Sequence, residues 1–228
     1  MSLFTIADLH LSFSSNKPMD VFYGWKNYTD KIKENWLYRV LPSDTVVIIG
    51  DVSWAMNFEQ LKKDFEFINS LSGNKIIIKG NHDYWWTTLK KMNEFINENN
   101  FSTIKILHNN AFVVEDKVVC GTRGWILDKT TLSEDRKIYL RECSRLESSI
   151  KEGLKFNLPI YVFLHYPPIS YNCEATELLE ILKFYNIKKC YYGHLHGNSI
   201  NNEIIFTKYG IDFELVSCDY VDFTPIII

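Results

Sequence analysis

The sequence predicts one α/β domain, residues 1–228, in which mixed β-sheets are covered by helices. Three observations carry this. Short apolar runs without strict alternation recur along the chain, as strands covered on both faces require. Stretches with apolar residues at three- and four-residue steps separate the early runs. From residue 104 onward the runs crowd together across short polar turns, which adds a richer β portion to the alternating one.

LFTIA (3–7) is the first strand, and Trp25, Tyr28, Ile32, Trp36 and Val40 then mark a helix. TVVIIG (45–50) is the second strand, and Phe58, Leu61, Phe65 and Ile68 line the helix after it. KIIIKG (75–80) is the third, followed by a helix carrying Leu89, Met92 and Ile96. IKIL, AFVV and KVVC lie between 104 and 120, separated by HNN and EDK, and are expected to form a run of antiparallel strands. A helix over about 133–152 precedes the strand IYVFL (160–164), and one over 175–185 precedes KCYYG (189–193). EIIF, FELVS and the final PIII are the last strands. No repeat, low-complexity stretch or linker divides the chain.

The totals exclude several functions. A net charge of −3 and lysines scattered in ones and twos argue against a nucleic-acid partner held by its phosphate backbone. The five cysteines are widely spaced and form no CxxC pair, so neither a disulfide framework nor a thiolate zinc site is expected. No apolar run is long enough to span a bilayer, and no basic, apolar leader opens the chain. The expectation is a soluble, cytoplasmic protein.

Chemistry gathers where the strands end. LFTIA runs into Asp8 and His10, TVVIIG into Asp51, and KIIIKG into Asn81, His82 and Asp83. IYVFL runs into His165, and KCYYG into His194 and His196. Of the six histidines only His108 lies outside this set. Any one of these residues alone reads as a turn, a cap or a hydrogen-bonded core histidine. Open α/β sheets, however, bind ligands beyond the carboxyl ends of their strands, and five segments deliver ligand-type groups to that one rim. Imidazole and carboxylate together suit Zn, Fe or Mn. The donors exceed what one tetrahedral ion needs, so two ions are expected, with the isolated Asp51 as the carboxylate that bridges them. Such a pair clamps a phosphoryl group and lowers the pKa of water toward neutrality.

In order, DLH, GD, GNHD, the His before YPP, and GHLH resemble the motifs of the calcineurin-like metallophosphoesterase superfamily. They run from Asp8 to His196 and as an ordered set are specific. The resemblance implies a four-layer β-sandwich of two mixed sheets flanked by helices. It also implies a dinuclear centre, with one ion on Asp8, His10, Asp51 and His196 and the other on Asp51, Asn81, His165 and His194. His82, not a ligand in that family, would face substrate, stabilising the phosphoryl oxygens or protonating the leaving group as metal-bridging hydroxide attacks phosphorus. The implied activity is hydrolysis of a small or nucleotide-like phosphate ester.

The departures narrow this. Protein phosphatases of the superfamily carry GDxVDRG and GNHE, where this chain reads GDVSWAM and GNHD. The second acid and the phosphate-binding Arg are missing, which argues against a protein substrate and leaves open what orients His82. Asp83 is adjacent. The chain also resembles the small bacterial phosphohydrolases of the superfamily, which supply a reaction class rather than a substrate. Arg123, in GTRGW, is a candidate for binding a phosphate oxygen bidentately. Trp54, Tyr84, Trp85, Trp86, Trp125 and Tyr166 lie near motif positions, where they could stack on a planar leaving group or pack the core. This crowd, with the missing Arg, leans toward diesters. Asp128, Asp135 and Arg136 follow with nothing to tie them to the site. The competing class is a non-catalytic metal-binding scaffold on the same fold, which has no chemical reason to keep every motif position. Amide-cleaving HxH hydrolases need their HxH early, and here it comes late.

Overall fold

A computed structural model of the chain describes residues 1–126, 133–170, 173–200 and 204–228. The strands and helices in chain order are β1 (Leu3–Ile6), α1 (Tyr28–Arg39), β2 (Thr45–Ile49), α2 (Phe58–Ser70), β3 (Asn74–Ile78), α3 (Leu89–Glu98) and β4 (Ile104–Ile106). Then come β5 (Phe112–Val114), β6 (Lys117–Thr122), α4 (Ser133–Leu154), β7 (Ile160–Leu164), β8 (Ile169–Ser170), β9 (Cys173–Glu174) and α5 (Thr176–Phe184). The chain closes with β10 (Lys189–Tyr192), β11 (Ile205–Lys208), β12 (Ile211–Leu215) and β13 (Ile226–Ile227).

Two mixed sheets face each other. One has the order β13-β1-β2-β3-β4, the other β11-β12-β10-β7-β6-β5, and β8 and β9 form a separate small hairpin. In the first sheet β1 to β4 run parallel and β13 pairs antiparallel with β1. In the second, β6, β7, β10 and β12 are parallel, and β5 and β11 are antiparallel edges.

The apolar strands are covered on both faces, and the alternation of side chains sorts them. From β2, Val46 and Ile48 pack outward against Ile32, Trp36, Leu61 and Phe65 of the helices on the first sheet. Val47 and Ile49 point inward, where they meet Ile76, Val119, Phe163 and Tyr191 between the sheets. On the second sheet's outer face, Val162, Cys190 and Phe213 pack against Tyr139 and Leu146 of α4 and Leu178 and Leu182 of α5. The three cores are the three interfaces of a helix, sheet, sheet, helix stack, so the expected two mixed sheets flanked by helices are observed.

One expectation is corrected. IKIL, AFVV and KVVC do not form one antiparallel run: β5 and β6 do, but β4 belongs to the other sheet and lies parallel to β3. The helix α3 is the crossover that a parallel β3–β4 pair needs. HNN therefore carries the chain from the edge of one sheet to the edge of the other. Glu203 of EIIF and Asp128 lie outside the described residues. Among the described residues no helix is long and apolar enough to cross a membrane.

Candidate metal centre

The strand ends that the sequence singles out share one rim. Asp8 and His10 follow β1, Asp51 follows β2, Asn81 and His82 follow β3, His165 follows β7, and His194 and His196 follow β10. Backbone bonds stitch the two sheets together there. The Asp8 side chain accepts the His194 N–H at Oδ2 (2.9 Å), and the His165 ring bonds the Ile49 carbonyl through Nδ1 (3.1 Å).

The local backbone is built for this convergence. Asp8, His10, Asp51 and His194 all take left-handed φ values, of 62°, 46°, 46° and 74°. Side chains rarely adopt that region, and its cost persists only where the surroundings hold it, typically at functional sites. Glycine is required at two close approaches. A Cβ on Gly80 would stand 2.1 Å from Asp51 Oδ1, and one on Gly193 would stand 2.6 Å from Asp8 Oδ2.

Two groups of potential ligands result, Asp8–His10–His196 and Asp51–His165–His194, with the ligand atoms in each within 4.8 Å of one another. Asp8 Oδ1 is 3.6 Å from both His165 Nδ1 and His196 Nε2. Asp51 Oδ1 accepts the His82 N–H at 2.7 Å, which leaves Oδ2 between the groups, 4.0 Å from His10 and 3.5 Å from His165. Asn81 Oδ1 lies 2.7 Å from His165 Nε2. Asp8, His10, Asp51 and His165 are buried, while Asn81, His82, His194 and His196 are half-buried at the opening.

These residues fit cations. Asp8 Oδ1, His10 Nδ1 and His196 Nε2 are buried yet have no hydrogen-bond partner among the described residues. Buried polar atoms are almost always paired, and two of these, Asp8 Oδ1 and His196 Nε2, lie 3.6 Å apart, which marks a place for an ion. The protonation states agree at two of the imidazoles. Burial lowers His10 to about 3 and His194 to about 4, so both keep free lone pairs. Burial would also raise Asp8, but His196, His165 and His10 outweigh it and hold that carboxyl below the usual range. Burial, then the neighbouring Asp8, pushes Asp51 up to about 8. Burial would lower His196, but Asp8 and Asp219 outweigh it and raise the ring to about 10.

Asp219 is a residue that sequence reasoning missed. Its Oδ1 meets His196 Nδ1 at 2.8 Å and its Oδ2 accepts the Gly197 N–H at 3.0 Å. It follows the end of β12, so the strand-end signal that marked the other five segments would have found it.

His82 sits at the mouth with Nε2 3.9 Å from Asp51 Oδ2, and burial lowers its pKa. Its Nδ1 meets the Tyr84 hydroxyl at 3.2 Å. Asp83 has another role. Its buried carboxylate accepts N–H groups from Val52 (2.9 Å), Gly80 (2.7 Å) and the Trp85 indole (3.1 Å), tying the loop after β3 to the loop after β2. Trp85 is core. Trp54 stacks on His10 (5.2 Å between ring centres) and lies 4.3 Å from His82, and Tyr166 lies 4.2 Å from His194, so both brace the site's imidazoles. Arg123 stands apart from the ion-facing set: its guanidinium lies over the Trp125 ring (4.6 Å) and 3.4 Å from Glu142.

A family model for calcineurin-like phosphoesterases matches residues 1–198. No curated protein matches the chain. Among solved structures, a protein of unknown function from Aquifex aeolicus is 18% identical at a TM-score of 0.49, covering 99% of this chain and 95% of that one. A Thermus thermophilus protein is 11% identical at a TM-score of 0.60, covering 99% and 97%. At 11% identity, the second likeness bears on the fold alone.

Proposed function

The chain belongs to the calcineurin-like phosphoesterase family, and we propose that it hydrolyses phosphate esters at a dinuclear metal centre on the strand-end rim. Asp8, His10, Asp51 and His196 would hold one ion, and Asp51, Asn81, His165 and His194 the other, with Asp51 shared. The observation that carries this reading is the pair of ligand groups with Asp51 Oδ2 between them, together with the unpaired buried Asp8 Oδ1 and His196 Nε2. When bound, the ions supply Lewis-acid polarisation of the phosphoryl oxygens and a lowered pKa for water.

The remaining work falls to the chain's own side chains. His82 is kept neutral by burial. The Tyr84 hydroxyl meets Nδ1, and in the tautomer in which it donates there the ring proton is on Nε2, the nitrogen that faces Asp51. That N–H donates to the leaving oxygen as charge develops on it, a contact that strengthens in the transition state. Asp83 keeps the loop bearing Asn81 and His82 in place through its backbone bonds.

The test is hydrolysis of p-nitrophenyl phosphate and its bis-ester by Mn²⁺-loaded protein. His82→Ala is expected to lose about 10²–10³ in kcat while retaining both ions. Background rates for both esters with folded, metal-loaded wild type would overturn the reading.

A further inference from the structure

Beside the metal centre lies a second polar feature that the chemistry above does not use. A narrow slot is lined by Lys79, Trp86, His108, Arg123, Glu142 and Arg145, among others. Three cationic side chains meet there, and Glu142, almost fully buried, is the one acid lining the slot. Glu142 is already engaged by the Thr122 hydroxyl (2.6 Å), Arg145 Nη1 (2.7 Å) and Arg123 Nη2 (3.4 Å). Burying excess positive charge is costly unless a counter-charge arrives.

Two residues that line the slot carry buried donors without a partner among the described residues, Trp86 Nε1 and Arg123 Nε. Neither atom can accept a hydrogen bond, so both call for an acceptor. The enclosed space is about 10 Å³, the room of one water-sized oxygen, so one oxygen of an oxyanion enters and the rest stays at the mouth.

The slot adjoins the rim. Lys79 is two residues before Asn81, which sets a separation of at most about 7 Å along the chain. The Arg123 carbonyl accepts the N–H of Tyr166, the residue after His165 (2.9 Å). Resting on the phosphoesterase reading, we propose that this slot seats a second phosphate of the substrate. The substrate class is then a small bisphosphate, with its two phosphates separated by a short carbon skeleton or a ribose.

The experiment uses Mn²⁺-loaded full chain and two readouts. Calorimetric titration with inorganic phosphate is expected to count two sites per chain in wild type and one in Trp86→Phe and Arg145→Gln. Hydrolysis of fructose 1,6-bisphosphate against fructose 6-phosphate, and of adenosine 3′,5′-bisphosphate against adenosine 5′-monophosphate, separates the two skeletons. At least one bisphosphate is expected to be preferred about tenfold or more in kcat/KM, and in both variants that ratio collapses toward one with ion content unchanged. One phosphate site in wild type, two in both variants, or no bisphosphate preference would overturn the proposal. If no ester is hydrolysed, the phosphate count still decides the seat and only the functional reading falls. Should Arg145→Gln fail to fold, Trp86→Phe decides, since it removes the donor and leaves an aromatic ring in place.

Discussion

Tyr84 shows how a single residue shapes the proposed chemistry. Its hydroxyl is the partner of His82 Nδ1, the role left open by the missing acid of the protein phosphatases. Tyr84→Phe removes one neutral hydrogen bond, so kcat is expected to fall about threefold to tenfold with KM little changed. A fall as large as that of His82→Ala would mean that Tyr84 does more than orient the ring. Protons give a second prediction. At neutral pH the metal-free protein holds Asp51, raised to about 8, and His196, raised to about 10, in their protonated forms. Both must deprotonate to bind an ion, so loading with Zn²⁺ or Mn²⁺ is expected to release protons in weak buffer. Apparent affinity then rises with pH through this range, and pH-independent affinity would contradict the assignment. Every ligand candidate was legible from its place after a strand. Tyr84 was not, because two positions apart in a loop carries no rule for which side chains meet. Asp83, the nearer candidate, turned out to brace the backbone instead.

At the scale of elements, β3 joins stability to function. It leads into Gly80, where a side chain would collide with Asp51, so Gly80→Ala is expected to lose metal binding even if the chain stays folded. Near the other end of β3 is Lys75, fully buried, whose ammonium donates to the Leu71 carbonyl and to Thr103 Oγ1 (3.2 Å). Burial lowers its pKa from 10.5 to about 8. The unfolded chain therefore binds this proton more tightly, and the penalty is complete below pH 8 and relieved as pH rises toward 10.5. Between pH 8 and 10, before buried tyrosines such as Tyr28 (about 12) oppose it, wild-type Tm is expected to gain relative to Lys75→Met as pH rises. Parallel Tm curves would refute this. Element types were readable because burial on both faces leaves a continuous apolar run, whereas helices leave a three-to-four spacing. Which sheet β4 joins was not readable. Its three residues fit either edge, and only the α3 crossover, whose handedness is a three-dimensional property, selects β3 as partner.

Across the whole molecule, the centre joins the two sheets. Asp8, Asp51 and Asn81 come from the first sheet and His165, His194 and His196 from the second, so bound ions would cross-link the layers. Metal at about a hundred times its Kd is expected to add about 2.7 kcal/mol of stability. For a chain of this size that is a Tm gain of roughly 5–10 °C over the chelator-treated protein. Asp51→Asn, which weakens both groups at once, is expected to abolish most of that gain. The layered architecture was legible from the strand and helix periods together with the motif order. The slot around Glu142 was not, because its charges come from the loop after β6, the loop after β3 and the middle of α4, which nothing in the linear order relates.

The bond from the His194 amide to Asp8 spans 186 positions. During synthesis, then, Asp8 and His10 emerge from the ribosome long before their partner His196 and wait for it. The first sheet can pair its parallel strands meanwhile, but neither ligand group closes until β10 is added. Each ligand group therefore lacks one imidazole until the segment bearing His194 and His196 is in place.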